Sequence, residues 1–75
     1  MEDLTYGQKL VGLRFNPSEL TQVDEIKQHA ADIIDNLYLT IQNSNDDIQI
    51  ELAQEAIKQV ISAQMWSIKA VTWKQ

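Results

Sequence analysis

The sequence predicts an all-α protein: two long antiparallel helices forming an αα-hairpin, preceded by a short N-terminal helix or arm, and assembled into a symmetric homo-oligomer. Three observations lead there. Apolar residues recur at spacings of three and four through two long stretches, the pattern of helices with one apolar face. Two glycines and one proline in 75 residues leave few of the breaks a β-rich fold needs. A chain of this length is one domain at most, and chains this small usually need disulfides, a metal or a partner chain. With no cysteine and one histidine, association of copies is the means that remains.

The elements follow in order within a single domain, residues 1–75. In residues 1–15, Leu4, Tyr6, Leu10, Val11, Leu13 and Phe15 are too apolar for a free tail, although Gly7 and Gly12 interrupt them. This stretch is expected to lie against the hairpin or a neighbouring copy, with Tyr6 as an anchor. Asn16-Pro17-Ser18-Glu19 reads as a helix start: Asn16 can cap, Pro17 suits the first helical position and Glu19 follows three residues after the cap. Ser18 is the competing cap. The first long helix is expected over residues 17–43. Its inner face is drawn by Leu20, Val23, Ile26, Ala30, Ile33, Leu37 and Ile41, and widened by Ile34 and Tyr38. From Ser18 to Asn43 it would be about 39 Å long. Asn43-Ser44-Asn45-Asp46 reads as a turn carrying the next cap. The second long helix is expected over residues 46–73, about 42 Å, with Ile50, Ala53, Ile57, Val60, Ile61, Gln64, Ile68 and Val71 inward.

Charge narrows the function. The net charge is −5, which opposes non-specific binding to duplex nucleic acid. Residues 19–55 hold nine acids and one base, Lys27, whereas residues 56–75 and 4–18 hold bases and no acid. No apolar run approaches the roughly 18 residues of a membrane span. The acidic start Met1-Glu2-Asp3 is unlike a signal peptide. A cytoplasmic protein is the simplest expectation.

Catalysis has little to work with: no His/acid cluster has metal spacing, no Gly-rich phosphate loop occurs, and the serines have no histidine nearby. The acids Asp32, Asp35, Glu51 and Glu55 read as a solvated face. No enzyme and no cofactor are expected. The hairpin geometry offers a binding site instead. Antiparallel pairing gathers Arg14, Lys27, Lys69 and Lys74 with Phe15, Trp66 and Trp73 at the open end, beside the free N–H groups that start the first long helix. Ser62, Trp66, Lys69 and Trp73 form one stripe that alternates aromatic and cationic character. Cations suit phosphates and aromatic faces suit bases, so a small anionic nucleotide would satisfy both. Each residue also has a plainer reading. Trp66 and Trp73 are the usual material of interface cores. Lys69 can snorkel along them, Lys27 can form a surface ion pair with Asp24, and His29 can be an ordinary helix residue.

Two segments carry a resemblance. Gly12-Leu13-Arg14-Phe15-Asn16-Pro17-Ser18 is followed by Val23-Asp24-Glu25-Ile26-Lys27, and the second long helix ends in Ala63-Gln64-Met65-Trp66-Ser67-Ile68-Lys69-Ala70-Val71-Thr72. Together, over roughly residues 12–73, they resemble the helical-hairpin phage proteins that act as cyclic-nucleotide sponges against the CBASS and Thoeris defence systems. The resemblance implies compact homo-oligomers, hexamers favoured with a dimer as building block. It implies pockets between protomers that bind cyclic di- or trinucleotides or cyclic ADP-ribose isomers without cleaving them. A phage-encoded protein of this kind would act in the host cytoplasm. Carried across residue by residue, it implies ligand roles for Lys27 and for Lys69. His29 stands where a threonine can contribute. The expected Gly-Tyr pattern is departed from at Leu13, which leaves Phe15 and Asn16, or Arg14, to stack on and hydrogen-bond the ligand. Trp66 would form the pocket wall or the interface. The rival expectation is a helical structural or protein-interaction module with no nucleotide ligand.

Overall fold

A computed structural model describes residues 3–12 and 21–73. They form α1 (Tyr6–Val11), α2 (Gln22–Asn43) and α3 (Asp47–Val71). Tyr38 and Ile41 of α2 share one groove with Gln54 and Ile57 of α3. Lys27, near the other end of α2, shares another with Gln64 and Ile68. The two long helices are therefore antiparallel, joined by the tight Ser44–Asp46 turn.

Each helix starts on its own cap. The Thr5 hydroxyl accepts from the Gln8 N–H (3.1 Å), and the Gln8 side chain accepts from the Thr5 N–H (2.9 Å). Gly12 ends α1 in the left-handed region, at φ 70°, where a side chain would be strained. Thr21 and Asp24 form a second reciprocal box, each accepting the other's N–H at 3.2 Å. This cap departs from the expected start at residue 17. Thr21 is extended (φ −95°, ψ 167°), so α2 begins at Gln22. The expected caps Asn16 and Ser18, and Leu20 of the expected inner face, lie outside the described residues. Asp46 caps α3 as expected, accepting from the Ile48 and Gln49 N–H groups.

The expected N-terminal element is a helix docked on α2. Tyr6 stacks on Tyr38 with ring centroids 4.2 Å apart. The Gly7 N–H donates to the Asp35 carboxylate at 2.6 Å, and Gln8 donates to Gln28 at 3.0 Å. Gly7 is buried directly on the Ala31 backbone; a Cβ there would sit 2.9 Å from the Ala31 Cα and closer still to its carbonyl oxygen. Asp35 is thus not part of a purely solvated face. It neutralises the start of α1.

Docking α1 also moves the inner face of α2. Ala31 and Ile34 are fully shielded, with Ala30 close behind, whereas Ile33, expected inward, is half exposed. Ala31 and Ile34 lie between the contacts to α1 and α3, and Ile33 is about 100° round the helix from Ile34. The core joins Val11, Ala30, Ala31, Ile34 and Ile57, flanked by Leu37, Ile41, Val60 and Ile61. Val71, also expected inward, is exposed where α3 ends. Because α1 packs on α2 and barely touches α3, the three helices lie nearly in one layer, and the molecule measures 45 × 34 × 12 Å. No helix of the described residues is long and apolar enough to cross a membrane.

Candidate functional site: a cationic groove at the open end

Where α1 meets the open end of the hairpin, a groove of about 510 Å³ forms. Lys9, Leu10, Val11 and Gly12 of the α1 segment make one wall, Lys27 of α2 another, and Ile61, Gln64, Met65 and Ile68 of α3 the rest. Among the described residues, two lysines and no carboxylate line it. Leu10, Ile61, Met65 and Ile68 supply an apolar surface. Gln64 is the buried polar residue of α3, 7% exposed, and presents an amide that can both donate and accept. The volume falls within the roughly 300–1,000 Å³ of small-molecule sites. Chemically, the groove can hold an anion flanked by a flat, partly apolar body with hydrogen-bonding edges.

The second cationic feature is on another face. Lys69 sits over the Trp66 ring, its Nζ 5.6 Å from the centroid. With Ser62 and Met65 these residues line a smaller hollow of about 270 Å³ on the outer side of α3. Trp66 and Trp73 are each 68% exposed, so neither is core within one chain. Met65 borders both features and divides them.

The expected cluster at the open end is therefore split. Lys27 lines the groove, and Lys69 and Trp66 lie on the outside of α3. His29 is exposed on α2 and is not among the groove residues. Arg14, Phe15, Asn16 and Lys74 lie outside the described residues. The free N–H groups expected to attract an anion at the start of α2 meet competition: the Thr21 hydroxyl takes the Asp24 N–H, and Asp24 and Glu25 already place negative charge in the first turn. Two groove residues carry weight that the sequence only hinted at. Lys9 belongs to the acid-free stretch 4–18, and Gln64 is the one amide on the inner stripe of α3. Among the described residues, no group of three His, Cys, Asp or Glu side chains could hold a metal ion.

Fold and groove together define a small helical-hairpin protein with a cationic, amide-bearing recess at its open end. Compared with protein-family models, curated proteins and solved structures, the chain matches none.

Proposed function

We propose that this chain is a non-catalytic binding protein that sequesters a cyclic nucleotide messenger, a phage anti-defence sponge that denies a host immune effector its signal. The carrying observation is the groove that sets Lys9 and Lys27 around the Gln64 amide and an apolar surface. In this reading Lys27 and Lys9 neutralise phosphates, Gln64 hydrogen-bonds a base edge, and Leu10, Met65 and Ile68 pack on base or ribose. The resemblance of the 12–27 and 63–72 segments to cyclic-nucleotide sponges supports the same ligand class. It adds Arg14, Phe15 and Asn16 as ligand contacts, with Phe15 stacking on a base, and leaves Lys69, on the outer side of α3, to the interface between protomers. The groove is open, so a second protomer closes it, and the working form is a homo-oligomer, a hexamer built from dimers. The ligand is held and released intact.

The test is a thermal-shift panel on the purified protein with cyclic dinucleotides, cyclic trinucleotides, cyclic ADP-ribose isomers and their linear counterparts. A cyclic ligand at about 100 times its dissociation constant adds roughly 2.7 kcal/mol. That raises the melting temperature of a domain this size by roughly 10–20 °C. Linear controls give no shift, and the ligand is recovered uncleaved. Lys27→Ala weakens binding by roughly 10- to 100-fold, as loss of a charge-assisted contact requires. A folded oligomer that responds to no cyclic ligand would sink the reading. It would favour the interaction-module alternative, which the exposed Ile48, Leu52, Trp66 and Trp73 on α3 otherwise support.

A further inference from the structure

Opposite its inner face, α3 carries a second stripe at alternating spacings of four and three. Ile48 and Leu52 stand at one end, 68% and 67% exposed. Glu55, Gln59 and Ser62 occupy the middle and are also exposed. Trp66 and Lys69 finish the other end, and Trp73 follows two residues beyond the helix, all exposed. This spacing is a heptad seam, the pattern by which one helix packs along another. A stripe with two tryptophans, an isoleucine and a leucine in open solvent is costly unless something covers it.

Charge selects the occupant. The first part of α3 and its cap hold Asp46, Asp47, Glu51 and Glu55 and no base. From residue 56 onward there is Lys58, Lys69 and no acid up to Trp73. A second copy of α3 laid antiparallel sets each acidic half against a basic half and opposes the two helix dipoles, whereas a parallel copy sets acid on acid. In antiparallel heptad register the two copies pair so that Leu52 meets Lys69, Glu55 meets Trp66 and Gln59 meets Ser62, with Ile48 opposite the chain just past the helix, where Trp73 lies. Lys69 then lies between Glu51 and Glu55 of the second copy. Leu52 packs on the Lys69 stem, Glu55 lies beside Trp66, and the polar centre falls on the two-fold axis, where Gln59 and Ser62 can hydrogen-bond across it.

We propose that α3 is the seam of a two-fold homodimer, paired antiparallel to the α3 of a second copy along the Ile48–Lys69 stripe. Trp66 and Lys69 then belong to this seam, and the Lys9–Lys27 groove lies outside it, left for a protomer of another dimer to close. The proposal shares self-association with the functional reading but needs no ligand.

The chain has no cysteine, so the register can be read by cross-linking. Leu52 and Lys69 are about 25 Å apart along one helix, so a disulfide between these two positions joins two chains. The Leu52→Cys/Lys69→Cys double variant should oxidise quickly to a covalent dimer, and either single variant should not. Both side chains are exposed, so the substitutions leave the core intact. Sedimentation of the unsubstituted chain should show a dimer or a multiple of one. A strict monomer at high concentration would overturn the pairing and point to a helix of another protein as occupant. Single variants that cross-link as readily as the double variant would overturn the register. If the disulfide forms and no cyclic nucleotide shifts melting, the seam stands and the ligand reading falls. If the shift persists without the disulfide, the reverse holds.

Discussion

Gly7 illustrates how one missing carbon sets the geometry of the site. Its N–H reaches the Asp35 carboxylate because its Cα rests on the Ala31 backbone, and any Cβ would collide with the Ala31 carbonyl. Gly7→Ala should therefore push α1 off α2 and cost about 1–3 kcal/mol, the range of overpacking a close contact. Gly12→Ala meets nothing within 4 Å and is opposed only by its φ of 70°, a penalty of about 1–2 kcal/mol. Urea denaturation of the two variants should rank Gly7→Ala as the more damaging. It should also be the one whose loss is shared by Asp35→Asn, since both act on the same hydrogen bond. From the sequence alone Gly7 reads as an interruption in an apolar arm. Its meaning depends on Ala31, twenty-four positions on, and local spacing does not carry that.

At the scale of the helix, α1 is too short to hold its shape unaided. It is capped by Thr5 and Gly12 and clamped by the Tyr6–Tyr38 stack. Lys9 rides on it. Tyr38→Ala should loosen α1, speed exchange of the Lys9 and Leu10 amides, and, on the proposed function, weaken messenger binding several-fold, although Tyr38 is not among the residues lining the Lys27 groove. Lys9→Ala should weaken binding equally with melting temperature unchanged. Calorimetric titration beside hydrogen exchange separates the two. The long helices and the docked arm are legible in the sequence because they rest on periodicity and on the Ser44–Asp46 punctuation, which are local. The start of α2 is less so: Asn16/Ser18 with Glu19 and Thr21 with Asp24 offer competing caps, and propensity does not rank them. The centre of the α2 face is displaced from Ile33 to Ile34 because the docking of a third helix, not the hairpin, decides it. For the same reason Lys27 and Lys69 read as neighbours in sequence geometry and stand on different faces in the structure, while Lys9 becomes the true companion of Lys27.

The described residues extend only 12 Å in their thinnest direction, with α1 packed on α2 and barely touching α3. Stable domains bury their apolar faces between at least two layers. Among the described residues the fully sheltered large side chain is Ile34, and the other buried apolar residues are one isoleucine, one valine and three alanines. Ile33, Leu39, Ile48, Leu52, Met65, Trp66 and Trp73 are each at least half exposed, on more than one face. A second layer supplied by other copies would shelter them, and stability would then be linked to association. Folding coupled to assembly obeys mass action, so the melting temperature should climb as protein concentration is raised from micromolar to hundreds of micromolar. Leu52→Glu should abolish that slope: it adds a third acid beside Glu51 and Glu55 at the point where Lys69 of a second copy is placed, and it removes an apolar contact. Because Leu52 is 67% exposed within one chain, its replacement leaves the single layer intact, and the variant should melt at one low temperature at every concentration. A melting temperature independent of concentration in the unsubstituted chain would mean that one layer of helices is stable by itself, and that the exposed stripes serve a partner other than a second copy.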